Sequence, residues 1–248
     1  AAIVQNLVEH VGHLVALEAR GGKRIILALE PEPCCLLETI AEAIEFFETR
    51  LFGAAAVRQL SALSGLDGAA AETALRRHLG VCYDVCHAAV EFEDPRASIA
   101  ALRAAGIEIA KVQLSSALRI RDLDAAAAQR LRPFDEPVYL HQVVARRGDG
   151  TLERFLDLPE ALARIEENLG KEWRIHFHVP IFLERLETFS TTQDFLREIL
   201  ALHRAEPVTE HLEVETYTWD VLPAAQREVA VSAAIARELN WVRERLGS

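Results

Sequence analysis

Residues 81–87 read Val81-Cys82-Tyr83-Asp84-Val85-Cys86-His87, an apolar run that ends in an acid, a thiol and an imidazole. A strand places alternate residues on opposite faces, so Cys82, Asp84 and Cys86 share one face and His87 follows one step later. The pattern recurs along the chain. In residues 25–30 alternation puts Ile26, Ala28 and Glu30 together, with Pro31 next. In residues 107–115 it groups Lys111, Gln113 and Ser115. In residues 175–180 it groups His176 and His178 against Ile175, Phe177 and Val179. In residues 212–218 it groups Glu213, Glu215 and Tyr217. Each apolar run therefore carries its chemistry at its C-terminal end.

Helix-like segments separate these runs. Residues 3–20 place Val4, Leu7, Val8, Val11, Leu14 and Val15 on one face, and Gly21-Gly22 ends the segment. Residues 36–51 turn Leu37, Ile40, Ile44 and Phe47 inward. Further helices are expected over 54–79 with a break at Gly65–Gly68, over 96–105, 122–131, 159–169 and 192–204, and as a closing helix over 223–246. Residues 138–145 read as a strand, Arg147-Gly148-Asp149-Gly150 as a turn, and residues 152–156 as its hairpin return. Alternating strands and helices predict a parallel α/β fold of one domain over 1–248: a (β/α)8 TIM barrel with polar strand ends converging at one mouth. Five barrel-type strands are legible, so the expectation places the first βα units before residue 1. A doubly wound open sheet is the structural alternative, but no Gly-rich phosphate turn accompanies it.

The chain has 248 residues and a net charge of −11, from 27 Lys plus Arg and 38 Asp plus Glu. Such a surface repels phosphate backbones, so nucleic acid is not an expected partner. No apolar run approaches the roughly 20 residues that span a bilayer, so the reading is a cytoplasmic, not membrane-embedded protein with a small polar metabolite as partner. The four cysteines fall as Cys34-Cys35 and Cys82/Cys86. Reduced thiols are expected, and adjacent Cys34-Cys35 is poor geometry for a four-cysteine zinc site. Methionine is absent, which points to a fragment or to omitted methionine positions.

Three carboxylates cannot share a pocket uncompensated, because desolvation and mutual repulsion both oppose it. A divalent ion compensates them. The expected ligands are Glu30, Asp84, Gln113, His176 and Glu215. Oxygen donors suit Mn²⁺ or Mg²⁺, and imidazoles shift the choice towards Mn²⁺, Co²⁺ or Zn²⁺. Asp84 alone has a simpler reading as a helix N-cap, and Glu213 as a partner for Lys111.

These residues resemble motifs of the xylose isomerase-like barrel superfamily. Leu29-Glu30-Pro31-Glu32-Pro33 is similar to a strand end whose Glu binds metal, with Glu32 replacing the catalytic Lys. Asp84-Val85-Cys86-His87 resembles a DxxH with a metal-ligand Asp and a substrate-pocket His. Gln113 followed by Arg119 resembles HxxxxxR with the ligand His changed to Gln. Within that group the strings LALEPEPCCLLET and GVCYDVCHAAVEFEDP resemble the EboE family of metabolite-traffic proteins. The resemblance implies a metal-dependent sugar or sugar-phosphate isomerase or epimerase. Catalysis would fall to Glu30, Glu215 and His87, and substrate binding to Arg119, His178 and His141. Phosphoester hydrolysis in the manner of endonuclease IV, with Arg146 and Arg147 on the anion, is the alternative; a non-catalytic metabolite-binding protein is another.

Overall fold

The computed structural model describes residues 2–223 and 229–247. A first apolar core forms around four parallel strands in the order β1-β2-β3-β10: β1 (Leu27–Leu29), β2 (Leu79–Asp84), β3 (Glu108–Leu114) and β10 (Leu212–Val214). Helices α1 (Ala2–Gly21), α2 (Ile40–Phe46), α3 (Ala54–Ser64), α4 (Gly68–His78), α5 (Val85–Val90) and α6 (Pro95–Ala104) lie before or between the first three strands. Val8 and Val11 of α1 and Leu60 of α3 are completely buried in this core. Side-chain caps set several helix starts. Thr39 and Glu42 form a reciprocal capping box on α2, and Asp67, Asp84 and Asp94 cap α4, α5 and α6. A π-helical turn, Phe47–Leu51, extends α2.

The second core surrounds an antiparallel sheet of order β6-β5-β7-β4-β9-β8. Its strands are β4 (Leu118–Ile120), β5 (Val143–Arg146), β6 (Leu152–Phe155), β7 (Glu172–Ile175), β8 (Arg185–Leu186) and β9 (Phe189–Thr191). Helices α7 (Ala125–Leu131) and α8 (Leu158–Ala163) belong to this part, and α9 (Gln193–Ala205) returns the chain to the parallel sheet. The closing helix α10 spans Val231–Leu246; the expected helical positions 224–228 lie outside the described residues.

The expected closed barrel of eight parallel strands does not form: the chain makes an open parallel sheet and a separate antiparallel one. The reason is local. Only residues 115–117 separate β3 from β4, whereas a parallel neighbour needs a crossover of about a dozen residues or more. The chain therefore leaves the first sheet at once, and β4 pairs antiparallel with β7 and β9. The segment at 175–179, expected as a parallel barrel strand, instead contributes Ile175 to β7 of the antiparallel sheet, paired with β5 of the hairpin. The β5–β6 hairpin forms as expected, with Val143 opposite Phe155. The whole second sheet is an excursion between the neighbouring strands β3 and β10. The doubly wound alternative fails as well, since β10 adds to the edge at β3 and the sheet has four strands.

Glu238 ties α10 to this frame. Its Oε1 accepts from Ile181 N (3.0 Å) and from Thr216 Oγ1 (2.7 Å), and its Oε2 is buried without a hydrogen-bond partner among the described residues. Burial pushes its carboxyl up to about 7, and Glu93, which accepts from Ile40 N, is pushed up to about 7 by the same cause. Raised carboxylates stabilise the fold below their unfolded pKa near 4.5, and that contribution is lost as pH rises through about 7. The Tm should fall between pH 5 and 8. Glu238→Gln combined with Glu93→Gln should flatten the accompanying loss of stability by on the order of a few kcal/mol. An unchanged pH profile in the double variant would refute the assignment. Gly80 of β2 has a different constraint, because an added Cβ would lie 2.7 Å from Glu108 O on β3. Gly80→Ala should cost roughly 1–3 kcal/mol in denaturant unfolding.

Candidate metal centre

The register of the parallel sheet brings the acids together. Asp84 pairs with Gln113 across β2 and β3, and Glu30 and Glu215 lie just beyond the ends of β1 and β10. Gln113 Nε2 points at all three carboxylates: 3.2 Å from Glu30 Oε1, 3.4 Å from Asp84 Oδ2, and in a hydrogen bond to Glu215 Oε2. Two amide protons cannot satisfy three acceptors. Asp84 also accepts from Ser115 Oγ (2.9 Å) and from His87 N (2.9 Å), so it is both the α5 cap and a member of the cluster. Lys111, the nearest amine along β3, is engaged with Glu213 at 2.7 Å, as its place in the sequence suggests.

The histidines arrive from the other side. His87 sits in the first turn of α5, and His176 and His178 follow β7, where the chain kinks: Phe177 N bonds to Ile175 O, and His176 N to Gln142 O. The kink keeps both rings on the acid side, while Phe177 and Val179 are fully buried in the second core. His87 Nε2 lies 3.1 Å from His176 Nε2, which lies 3.2 Å from His178 Nε2. All three residues are buried.

Their outer nitrogens determine what these inner ones carry. His87 Nδ1 faces Pro31 O at 3.1 Å and His178 Nδ1 faces Glu215 O at 2.7 Å; a carbonyl only accepts, so both Nδ1 atoms hold the proton. His176 Nδ1 faces Gln142 Oε1 at 2.8 Å and follows the same pattern. In the neutral ring this tautomer leaves Nε2 with a lone pair, so three Nε2 atoms able to bind a cation converge. Tyr217 hydroxyl, 3.3 Å from His176 Nε2, can donate to one of them. Burial holds His176 well below and His178 below the usual imidazole range, which keeps them neutral, the form that binds metal.

The acids respond to their surroundings in opposite directions. Burial opposes Asp84's charge, yet hydrogen bonds from Glu215 and from the His87 amide, beside the His87 and His178 rings, hold its carboxyl low. Burial and the neighbouring Asp84 push Glu215 up to about 9. Burial raises Glu30 too, with His87 working against it. Overlapping ligand groups result: Asp84/His87/His178, Cys86/His176/His178, Glu32/His87/His176 and Glu30/Asp84/Glu215, each with donor atoms within 4.8 Å of one another. Neutral imidazoles with bare lone pairs beside an ionised carboxylate fit a divalent cation. No family model, no curated protein and no solved structure matches this chain.

Of the residues expected at the site, Glu30, Asp84, His87, Gln113, His176, His178 and Glu215 meet. Gln113 presents its nitrogen to the acids, and its amide would have to turn over to offer oxygen; Cys82 Sγ meets that oxygen here. Arg119 lies in β4, bound to Asp194 of α9 at 2.8 Å. His141 is stacked on Phe177, with Nε2 3.4 Å from Glu136, while its neighbour Gln142 reaches the centre. Sequence reasoning assigns no site role to Cys86, Glu32, Ser115 or Tyr217, although alternation places Cys86 beside Asp84 and Tyr217 beside Glu215.

Zn²⁺ or Co²⁺ should bind the purified protein and raise its Tm. His178→Ala should weaken binding by about 100-fold or more, and Gln142→Leu, which releases the His176 tautomer, by about 10- to 100-fold. Calorimetric titration showing equal affinity in His178→Ala would rule the centre out.

Proposed function

We propose that this protein is a divalent-metal-dependent enzyme of the cytoplasm that moves a proton on a small polar metabolite, an isomerase or epimerase of sugar or sugar-phosphate type. The observation that carries the reading is the convergence of bare Nε2 atoms beside the Glu30–Asp84–Glu215 carboxylates. The four cysteines are all free thiols, in keeping with a reducing compartment. Among the described residues no helix is long and apolar enough to cross a membrane. Of the sequence resemblance, the residue motifs support this reading; the barrel they imply is not the fold.

His87, His178 and Asp84 would hold the ion, with His176 on the remaining side. Zn²⁺ or Co²⁺ suits the imidazoles and Mn²⁺ or Mg²⁺ the oxygen group. A bound divalent ion supplies polarisation of substrate oxygens, which acidifies the adjoining C–H. A cleft of about 840 Å³ runs along the parallel sheet and reaches Glu30 and Cys82, giving substrate a route to the acids. Glu30, on the open side, takes the proton as general base. Glu215, kept protonated by burial and by Asp84, returns one to the neighbouring carbon or the opposite face. Gln113 Nε2, bonded to both, holds their carboxyls in place.

Phosphoester hydrolysis is favoured by one observation, the presence of both an oxygen-only and a sulfur–nitrogen ligand group, which gives room for more than one ion. Its proposed anion contacts are already occupied, since Arg146 pairs with Glu172 and Arg147 with Glu153. One bound metal per chain would dismiss this reading.

Incubation of metal-loaded protein in D₂O with a panel of aldoses, ketoses and their phosphates should place deuterium on the carbon beside a carbonyl. Glu30→Gln and Glu215→Gln should each slow that exchange by about 10²- to 10⁴-fold while metal stays bound. A fully metallated protein that exchanges no substrate proton across the panel overturns the isomerase reading.

A further inference from the structure

The imidazoles do not end at the metal centre. Ring centroids follow one another from His87 to His176 (4.5 Å), His178 (5.2 Å), Tyr217 (4.5 Å) and Tyr139 (5.0 Å). Exposure changes sharply along this series. The histidines are buried, whereas Tyr217 and Tyr139 are each 37% exposed. Tyr217 is anchored inward by its hydroxyl on His176 Nε2. Tyr139 is held from behind: Glu136 accepts from Tyr139 N at 3.2 Å and from Val138 N at 2.7 Å, and the same carboxyl lies against His141.

A cover for the histidines would need Tyr217 alone. Tyr139 meets the Tyr217 ring and, among the described residues, no histidine ring of the centre. The two tyrosine rings are inclined at 60° with centroids 5.0 Å apart, so they touch each other, and both remain partly exposed beside the histidine cluster. A six-membered ring laid on the exposed side of one tyrosine can meet the other at its edge, and aromatic faces favour both contacts.

We propose that Tyr139 and Tyr217 form a stacking platform, and that the substrate carries two adjacent oxygens for the metal centre joined to a ring whose apolar face lies on these tyrosines. This rests on the metal-dependent reading of the site. Both a planar ring and a saturated, sugar-like ring offer such a face.

Hydroxamates supply the two oxygens in simple form, so acetohydroxamate, benzohydroxamate and cyclohexanecarbohydroxamate are the probes, titrated calorimetrically into Zn²⁺-loaded protein. At least one ring compound should bind about fivefold or more tightly than acetohydroxamate. The tighter of the two identifies the ring as planar or saturated. Tyr139→Ser should abolish the gain while leaving acetohydroxamate affinity unchanged, and Tyr139→Phe should keep it. Equal affinity of all three compounds, or a ring gain that survives in Tyr139→Ser, overturns the platform. Metal content is measured on the same samples. Protein that retains no metal overturns the functional reading together with the platform, whereas metallated protein that binds acetohydroxamate without a ring gain overturns the platform alone.

Discussion

Two backbone carbonyls, Pro31 O and Glu215 O, govern the chemistry of this molecule. Each accepts a hydrogen bond from the outer nitrogen of a buried histidine, His87 and His178, and so leaves the inner nitrogen of the neutral ring with its lone pair. With His176 oriented by Gln142, three lone pairs face one another at 3.1 and 3.2 Å. Lone pairs at that separation repel, and burial denies them water. A cation relieves both costs, while a proton shared among three nitrogens relieves only part. The carbonyls also link this chemistry to the chain path, because they belong to the segments that carry Glu30 and Glu215.

The centre occupies the seam between two separately packed cores. Asp84, Gln113 and Glu215 come from the parallel sheet; His176 and His178 come from the end of an antiparallel strand. Several bonds fasten the seam. Val179 N bonds to Ser116 O at 2.9 Å, Thr218 Oγ1 donates to His178 O, and Glu238 joins α10 to Ile181 and Thr216. The ligand set therefore depends on both cores being folded and docked. Metal binding should stabilise their union more than either core alone, since a ligand stabilises only the state that presents its whole site.

The acids show how a neutral side chain moderates a crowded site. Gln113 Nε2 faces three carboxylates, can bond two of them at a time, and adds no charge. Like charges then separate by protonation: Asp84 stays ionised, while Glu215 is pushed up to about 9. Two carboxyls of the same cluster thus hold opposite protonation states at neutral pH, the distribution a proton-transferring site requires.

Alternation and capping are local properties, and the sequence alone determined what depends on them: helices α1 to α4 and α6, the break at Gly65–Gly68, the β5–β6 hairpin, the Lys111–Glu213 pair, and the polar C-terminal ends of β1, β2, β3 and β10. It also marked seven residues that meet at the centre. Tertiary structure alone decided the rest. The barrel failed because a three-residue link after β3 cannot cross over to a parallel neighbour, and strand direction is invisible in hydrophobic period. The face of a strand says which side chains travel together, not what they meet. So the pairing of Arg119 with Asp194, the turning of Gln113's nitrogen to the acids, and the lone pairs of three histidines were settled by residues distant in the chain, through contacts that form only when both sheets are packed.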